Sequence, residues 1–340
     1  MKDGDLKIGW VISHDREWAA SRLQGYLVHE WLLRQGADST ILLERFNRVP
    51  SPRSWAFVKA AVRLLRSKCD VVVFEGGDWP MMQLAKLWRA SGRRAVGTRC
   101  DPIPGAYDRA YDLTVVPTAE LQQRLAIERA RVIDDSAEIP PGKFKTDYAG
   151  APRLKVVWMG HQGYADYIVG LVARLQQHPA IAAHFEFELV SKGEFATRQW
   201  SEATVADDIL ACDIALLAIP AGTWFQTKSA NRLALMMGLG MPVVASLIPS
   251  YRSLAQPGVN GLFIESDDAI ADALLALRDP AVRAAMGQQA RLSVADRYSI
   301  DAVGPRWLAA LRDAWAGGPK AQGAAAPWRW LVRLLQAGSR

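Results

Sequence analysis

The chain reads as an α/β protein built from two doubly wound parallel sheets, and three observations predict this. Runs that are apolar at nearly every position, such as Val71-Val-Val-Phe74, alternate with segments of helical period through both halves. Between the halves, residues 134–153 hold three Pro, two Gly and mixed charge with no hydrophobic period, the composition of a domain linker. Thr223–Ser250 runs from a polar loop through an apolar helical stretch, Leu233 to Gly240, into the buried strand Met241-Pro-Val-Val-Ala-Ser246.

Taken in order, Leu6–Ser13 is the first strand and His14–Trp18 its loop. Ala19–Arg34 has helical period with Leu23, Leu27 and Trp31 on one side, and Gly36 suits a helix stop. Ser39–Leu43 is a second strand, Ser54–Ser67 a helix and Asp70–Phe74 a strand followed by the loop Glu75-Gly-Gly-Asp-Trp-Pro80. Met81–Ser91 is helical, while Arg94–Thr98 and Asp112–Pro117 are strands. In the second half, strands are expected at Leu154–Met159, Phe185–Ser191, Ile214–Ala218, Val243–Ser246 and Leu262–Glu265. Helices fall between them near 164–177, 204–211, 229–239, 267–277 and 280–291, with a last one near 301–315.

A length of 340 residues accommodates two domains of ordinary size. Half of the residues are hydrophobic and 22% are charged, a globular rather than a disordered composition. The net charge of +6 fits anionic substrates, an anionic membrane surface or nucleic acid. The basic residues read as spread along the chain rather than gathered in one aromatic-interleaved stripe, and no nucleic-acid-binding module is present, so no nucleic-acid partner is expected. Cys69, Cys100 and Cys212 stand far apart with no C-x-x-C pair, which argues for a reducing cytosol and against a disulfide frame or a zinc site. The N-terminus has no apolar core of signal-peptide length. The uncharged run Leu233–Tyr251 is broken by Gly238, Gly240, Pro242 and Pro249, so no transmembrane segment is expected.

In open α/β sheets ligands bind where strand ends meet loops at the topological switch point. Lys228, Ser229, Asn231 and Arg232 at the start of the Thr223–Ser250 helix join cations and an amide to free backbone N–H groups and the positive helix pole. An anion, above all a diphosphate, is the natural guest there, and a solvated helix start is the alternative. The other loops of the second half that sit at strand ends are Gly160-His-Gln-Gly163 and Ser191-Lys-Gly193. His161 there reads equally as a capping residue.

Lys228-Ser-Ala-Asn-Arg-Leu233, Gly240-Met-Pro-Val-Val-Ala-Ser246, Gly258-Val-Asn-Gly261, the Arg-x-x-Met-Gly-x-x-Ala-Arg helix at 283–291 and Tyr298-Ser299 occur in that order. Together they resemble the C-terminal half of GT-B glycosyltransferases of the broad group that uses nucleotide sugars. The first half is similar to that group's acceptor-binding domain through Ser21-Arg-Leu-Gln-Gly25 and through Asp112-Leu-Thr-Val-Val-Pro-Thr118, a strand before a Thr-capped helix. The resemblance implies a GT-B fold, two Rossmann-like domains facing a cleft. These would be an acceptor domain at 1–135, a linker at 136–153 and a donor domain at 154–300, with a C-terminal helix at 301–316 that can return to the first domain. It also implies hexosyl transfer from a nucleotide-sugar donor to a glycan, glycolipid or glycoprotein acceptor of the bacterial surface.

Carried onto these positions, Gly160, His161 and Gly163 meet phosphate, Ser191 and Lys192 border base or ribose, and Lys228, Ser229, Asn231 and Arg232 take the diphosphate. No cofactor or metal is expected, Lys228 replacing the ion as a point charge. The chain's Asp-x-Asp, Asp3-Gly4-Asp5, stands ahead of the first strand. On the acceptor side, His14 and Asp15 are the candidate catalytic bases, and Glu17, Arg22, Glu75, Asp78 and Asp101 the candidate acceptor contacts. Arg22 reads equally as a solvated first-turn charge. The sequence departs from many retaining members, whose Glu-x7-Glu pair is replaced here by Thr227 and Leu235. That leaves open a non-catalytic GT-B-like binding protein or scaffold, and a sugar-nucleotide epimerase of similar fold.

Residues 317–340 change composition again. After a Gly/Ala-rich linker, Pro327–Gln336 carries Trp328, Leu331, Val332 and Leu335 on one helical face and Arg329, Arg333 and Gln336 on another. This suits peripheral contact with an anionic membrane surface, or packing back onto the first domain. The expected location is the cytoplasm, with the inner membrane face as a working site.

Overall fold

The computed structural model describes residues 6–49, 51–294 and 297–317. They form two compact units, one running to Asp135 and taking in the helix Ile300–Ala316, the other spanning Ser136–Ser299.

The first unit holds six strands: β1 (Lys7–Val11), β2 (Asp38–Leu43), β3 (Val71–Phe74), β4 (Arg94–Thr98), β5 (Leu113–Val116) and β6 (Ala130–Val132). They lie in the order β2-β1-β3-β4-β5-β6, all parallel, with Ile8 opposite Val71 and Trp10 opposite Val73. All four residues of β3 are buried, because helices cover both faces. On one face Val72 and Phe74 pack with Phe57, Leu64, Leu84 and Trp88. On the other, Trp10 and Val73 pack with Trp31 and with Trp307 and Leu311 of the Ile300–Ala316 helix. That helix approaches closely because Gly304 has no side chain; a Cβ there would come within 2.2 Å of the Trp31 ring. Trp31 Nε1 donates to Asp301 Oδ1 at 3.0 Å and Arg306 pairs with Asp134 at 2.8 Å.

The helix expected at 19–34 contains a π-helical turn over Arg22–Tyr26, where Leu27 N–H donates to Arg22 O. All five residues of that turn are buried. Thr118 caps the helix Ala119–Leu125 by accepting from Leu121 N–H at 3.1 Å. β6 has no counterpart in the sequence reading, since its three residues are too few to show a period.

The second unit holds β7 (Leu154–Met159), β8 (Phe185–Ser191), β9 (Arg198–Gln199), β10 (Ile214–Leu217), β11 (Val243–Ser246) and β12 (Leu262–Ile264). Their order is β12-β11-β10-β7-β8-β9, again all parallel. β9 and the short helix Pro179–His184 have no counterpart in the sequence reading either.

Residues 136–153, whose composition is that of a linker, have no regular structure but are bound to the second unit. Ala137 N–H donates to Tyr298 O at 2.7 Å, Lys145 N–H to Leu239 O at 2.8 Å and Tyr148 OH to Gly240 O at 2.8 Å. Arg283, fully buried, donates to four carbonyls, those of Leu277 and Arg278 through Nη1 and of Tyr148 and Ala149 through Nη2. Those four bonds to a cationic donor are charge-assisted, so this strap is held by hydrogen bonds rather than by an apolar period. Among the described residues no helix is long and apolar enough to cross a membrane, and the three cysteines are free. Pro327–Gln336 lies outside the described residues.

Candidate functional site

In the second sheet the chain leaves β7 toward β8 on one side and returns through β10 on the other, so the strand order reverses between β7 and β10. The loops after these two strands therefore flank the switch point. The β7 loop is Gly160–Gly163, and the β10 loop leads through a 3₁₀ turn, Phe225–Thr227, to the helix Asn231–Gly238. Ala230 occupies the N-cap of that helix and offers no side-chain acceptor, and the first turn contains no acid. No side chain thus offsets the positive pole.

The expected cations stand at this start. Arg232 Nη1 donates to the carbonyl of Met159, the last residue of β7, at 3.1 Å, and its guanidinium lies 5.6 Å from the centre of the Tyr164 ring. The helix start is thereby tied to the β7 loop. Lys228 Nζ lies 5.7 Å from the Trp224 ring centre, and Ser229 Oγ donates to Asn231 Oδ1 at 3.0 Å. Thr227 is buried with Oγ1 donating to Trp224 O at 2.9 Å, and Leu235 is buried in the core. Thr227 and Leu235, the positions at which the resemblance to retaining GT-B members would place carboxylates, are structural residues here.

Other members of the set have packing duties. A Cβ on Gly160 would lie 2.3 Å from the Trp158 ring, so the indole beneath this residue requires a glycine. His161 Nδ1 accepts from Gly163 N–H at 3.0 Å and caps the turn Gln162–Tyr164, the capping role that the sequence also allowed. Ser191, read as a border of base or ribose, ends β8 fully buried, whereas Lys192 is exposed with Nζ 5.0 Å from the Trp200 ring centre. Sequence reasoning missed the aromatic group here: Tyr164 and Phe225 lie 5.6 Å apart, and Trp158 lies 6.3 Å from Tyr164. The signal was an aromatic residue just past each loop, at Tyr164 and at Trp224-Phe225.

In the first sheet the order reverses between β1 and β3. The residues that follow these strands, Ser13-His14-Asp15 and Glu75–Asp78, are joined by a clasp. Glu75 Oε2 accepts from Ser13 N–H at 2.9 Å and from Ser21 Oγ at 2.7 Å, while Ser21 Oγ accepts from His14 N–H at 3.1 Å. Glu75 was expected as an acceptor contact. It is 2% exposed, and burial raises its pKa against the opposing effect of its two hydrogen bonds and of Arg99. The π-helical turn brings Ser21 and Gly25 over the clasp, a Gly25 Cβ falling 3.7 Å from Glu75 Cγ.

His14 is half-buried, with its ring centre 4.4 Å from that of Trp18 and tilted 33° to it. Burial lowers its pKa below the ordinary 6.5, against the pull of Asp15 and Asp78. Asp15 lies 3.7 Å from Arg45 Nε, and exposed Glu17 donates its N–H to Asp15 Oδ1 at 3.3 Å. Asp78 caps the helix Trp79–Ala90 by accepting from Met81 N–H at 3.0 Å. Arg22 is not a solvated charge: it is 4% exposed and its Nη1 donates to Arg16 O at 2.7 Å. Asp101 accepts a weak bond from Cys100 Sγ at 3.8 Å. The structure therefore gathers His14, Asp15, Glu75 and Asp78 at one sheet edge, and it makes Glu75 and Arg22 internal rather than surface groups. Among the described residues no group of three or more His, Cys, Asp or Glu is placed to hold a metal ion.

The fold superposes on solved glycosyltransferase structures. Sucrose-phosphate synthase from Thermosynechococcus elongatus superposes with a TM-score of 0.67 at 13% identity, over 92% of this chain and 100% of that one. The chain has the GT-B fold. A glycosyltransferase from Rickettsia africae gives 0.69 at 12% identity, over 92% and 99% of the two chains. HepE from Anabaena, solved with UDP and glucose, gives 0.66 at 13% identity, over 90% and 99%. At these identities the likeness is one of fold. No described sequence family matches the chain, and no curated protein matches it in sequence. The GT-B assignment gives the two switch points their interest, because open α/β sheets place ligands there.

Proposed function

We propose that this protein is a metal-independent glycosyltransferase that moves a sugar from a nucleotide-sugar donor to a glycan, glycolipid or glycoprotein acceptor. The observation that carries the reading is the uncapped start of the Asn231–Gly238 helix, at a switch point, with Lys228 and Arg232 beside it. Structural neighbours support it: one is a synthase of a sugar phosphate, and another was solved with UDP and glucose. In the reaction the anomeric carbon's bond to the diphosphate oxygen breaks and a bond to the acceptor hydroxyl oxygen forms. The acceptor proton passes to a base, and the diphosphate leaves with the electron pair. Lys228, Arg232 and the first-turn amides stabilise that leaving charge. Ser229 and Asn231 complete the donor contacts, with Gly160, His161, Gly163 and Lys192 around them.

His14 is the base in this reading, since its lowered pKa keeps it neutral at working pH, and Asp15 is the alternative. Glu17, Asp78 and Asp101 contact the acceptor, while Glu75 and Arg22 hold the loop that carries His14. The protein works at the cytoplasmic membrane face, with Pro327–Gln336 as a contact. A second reading, a nucleotide-sugar-binding protein without transfer activity, is favoured by Thr227 and Leu235 standing where the resemblance to retaining GT-B members would place carboxylates.

Thermal stability of wild type and Lys228→Ala with UDP, GDP, ADP, dTDP and CMP tests the donor site. Ligand at a hundred times its Kd adds about 2.7 kcal/mol to the folded state. A midpoint shift with one nucleotide, absent in Lys228→Ala, is expected; no shift with any nucleotide sinks the donor site. Binding without acceptor-dependent release of nucleotide selects the second reading.

A further inference from the structure

Basic charge is more concentrated than a first reading of the sequence suggests. From Arg45 to Lys68 the chain carries seven basic residues, Arg45, Arg48, Arg53, Lys59, Arg63, Arg66 and Lys68, and no acid, against a net charge of +6 for the whole protein. Half of this stretch is the helix Trp55–Arg66, capped by Ser54 Oγ, which accepts from Phe57 N–H at 3.2 Å. Phe57, Ala60, Ala61 and Leu64 point inward and are buried. The opposite face carries Trp55, Val58 and Val62 beside Lys59, Arg63 and Arg66, a helical spacing of three and four.

Trp55 is 69% exposed, more than any other large hydrophobic residue among those described. A groove of about 590 Å³ runs along this face, with Leu42 of edge strand β2 as its inner wall and the three cations on its rim. Among the described residues none of Lys59, Arg63 and Arg66 forms an ion pair.

We propose that this face of the first unit is a docking surface for an anionic lipid bilayer. An apolar strip with a solvent-exposed Trp, flanked by cations on long stems, matches an interface in which rings and stems enter the headgroup layer while charges meet lipid phosphates. The sign of the charge excludes the other nearby occupants. A second copy would set one basic face against another. The chain's own Pro327–Gln336 carries Arg329 and Arg333 and no acid, so it too is repelled. Both basic segments instead suit one anionic surface, and two weak signals together anchor far better than either alone. The proposal concerns the first unit by itself and holds whatever the donor nucleotide is.

Cosedimentation of the full-length protein with vesicles tests it, using phosphatidylcholine alone and phosphatidylcholine with an equal part of phosphatidylglycerol. Binding to the anionic vesicles only, weakening as salt is raised, is expected. Replacing Lys59, Arg63 and Arg66 together by Gln lowers that binding by roughly a hundredfold, at about fivefold for each basic group. Trp55→Ala lowers it by about tenfold or more. These side chains are exposed, so the thermal midpoint stays where it is in wild type. Equal binding to neutral vesicles, or loss of binding only when Arg329 and Arg333 are replaced, overturns the proposal. Sensitivity to the three cations with none to Trp55→Ala also overturns it, and identifies a site for soluble polyanions such as an acidic polysaccharide.

Discussion

At the switch point of the second sheet, Lys228, Arg232 and a helix start without a capping side chain gather positive charge. At the corresponding point of the first sheet stand His14, Asp15, Glu75 and Asp78, with one carboxylate buried beneath the loop that bears the histidine. The backbones are built on the same rule, parallel strands whose order reverses beside the first strand. The strand orders differ, β2-β1-β3-β4-β5-β6 against β12-β11-β10-β7-β8-β9, and so do the side chains, cations beside an uncapped helix start at one edge and a histidine with carboxyl groups at the other. Duplicated architecture therefore does not imply duplicated chemistry; each edge has to be read from its own residues.

The comparison breaks most readily at His14. If the first edge does the proton transfer, His14→Gln lowers the transfer rate by roughly 10²- to 10⁴-fold and leaves the nucleotide-induced thermal shift intact. Because the base acts in its neutral form and its pKa lies below 6.5, the acid limb of the pH–rate profile should also lie below 6.5. An undiminished rate in that variant moves the role to Asp15 or removes it from this edge.

Arg232→Ala is expected to weaken nucleotide binding by about 10- to 100-fold, the value of a charge-assisted bond to a phosphate, as read by titration calorimetry. If affinity stays the same, Arg232 only ties the helix start to Met159. Gly160→Ala separates packing from ligand approach on the same loop. The clash with Trp158 predicts a loss of about 1–3 kcal/mol in denaturant unfolding, whereas lost nucleotide binding at unchanged stability would make the glycine a ligand-facing one.

The smallest effect belongs to the Glu75 clasp. Its folded-state pKa is raised, so stability is greatest while the carboxyl is protonated and is lost as pH rises through that raised value. Gln at this position still accepts from Ser13 and Ser21 but cannot ionise. Glu75→Gln should therefore flatten that part of the pH–stability curve, and a curve of unchanged shape would assign the slope to another group.

Much of what made the sequence resemble a known fold turns out to be structural. Arg283 straps residues 148 and 149, and Gly287 admits the carbonyl of Gly240, which a Cβ would meet at 2.3 Å. Asn260, fully buried, donates to Leu254 O at 2.8 Å and to Ser293 Oγ at 2.9 Å, closing the turn that Gly258 opens with φ +78°. Such residues identify an architecture because backbone carbonyls make the same demands wherever the loop occurs. They say little about which bond is broken.

By itself the sequence determined the alternation of buried strands and helices and the polar start of the Asn231–Gly238 helix, because period and composition are local properties that burial on two faces imposes directly. The structure alone decided the strand order of each sheet, the binding of residues 136–153 to the second unit and the withdrawal of Glu75, Arg22 and Ser191 from solvent. Those outcomes depend on partners far along the chain, 62 residues away for Glu75 and Ser13 and 135 for Arg283 and Tyr148. No window of sequence carries the hydrogen bonds and packing that fix such pairs.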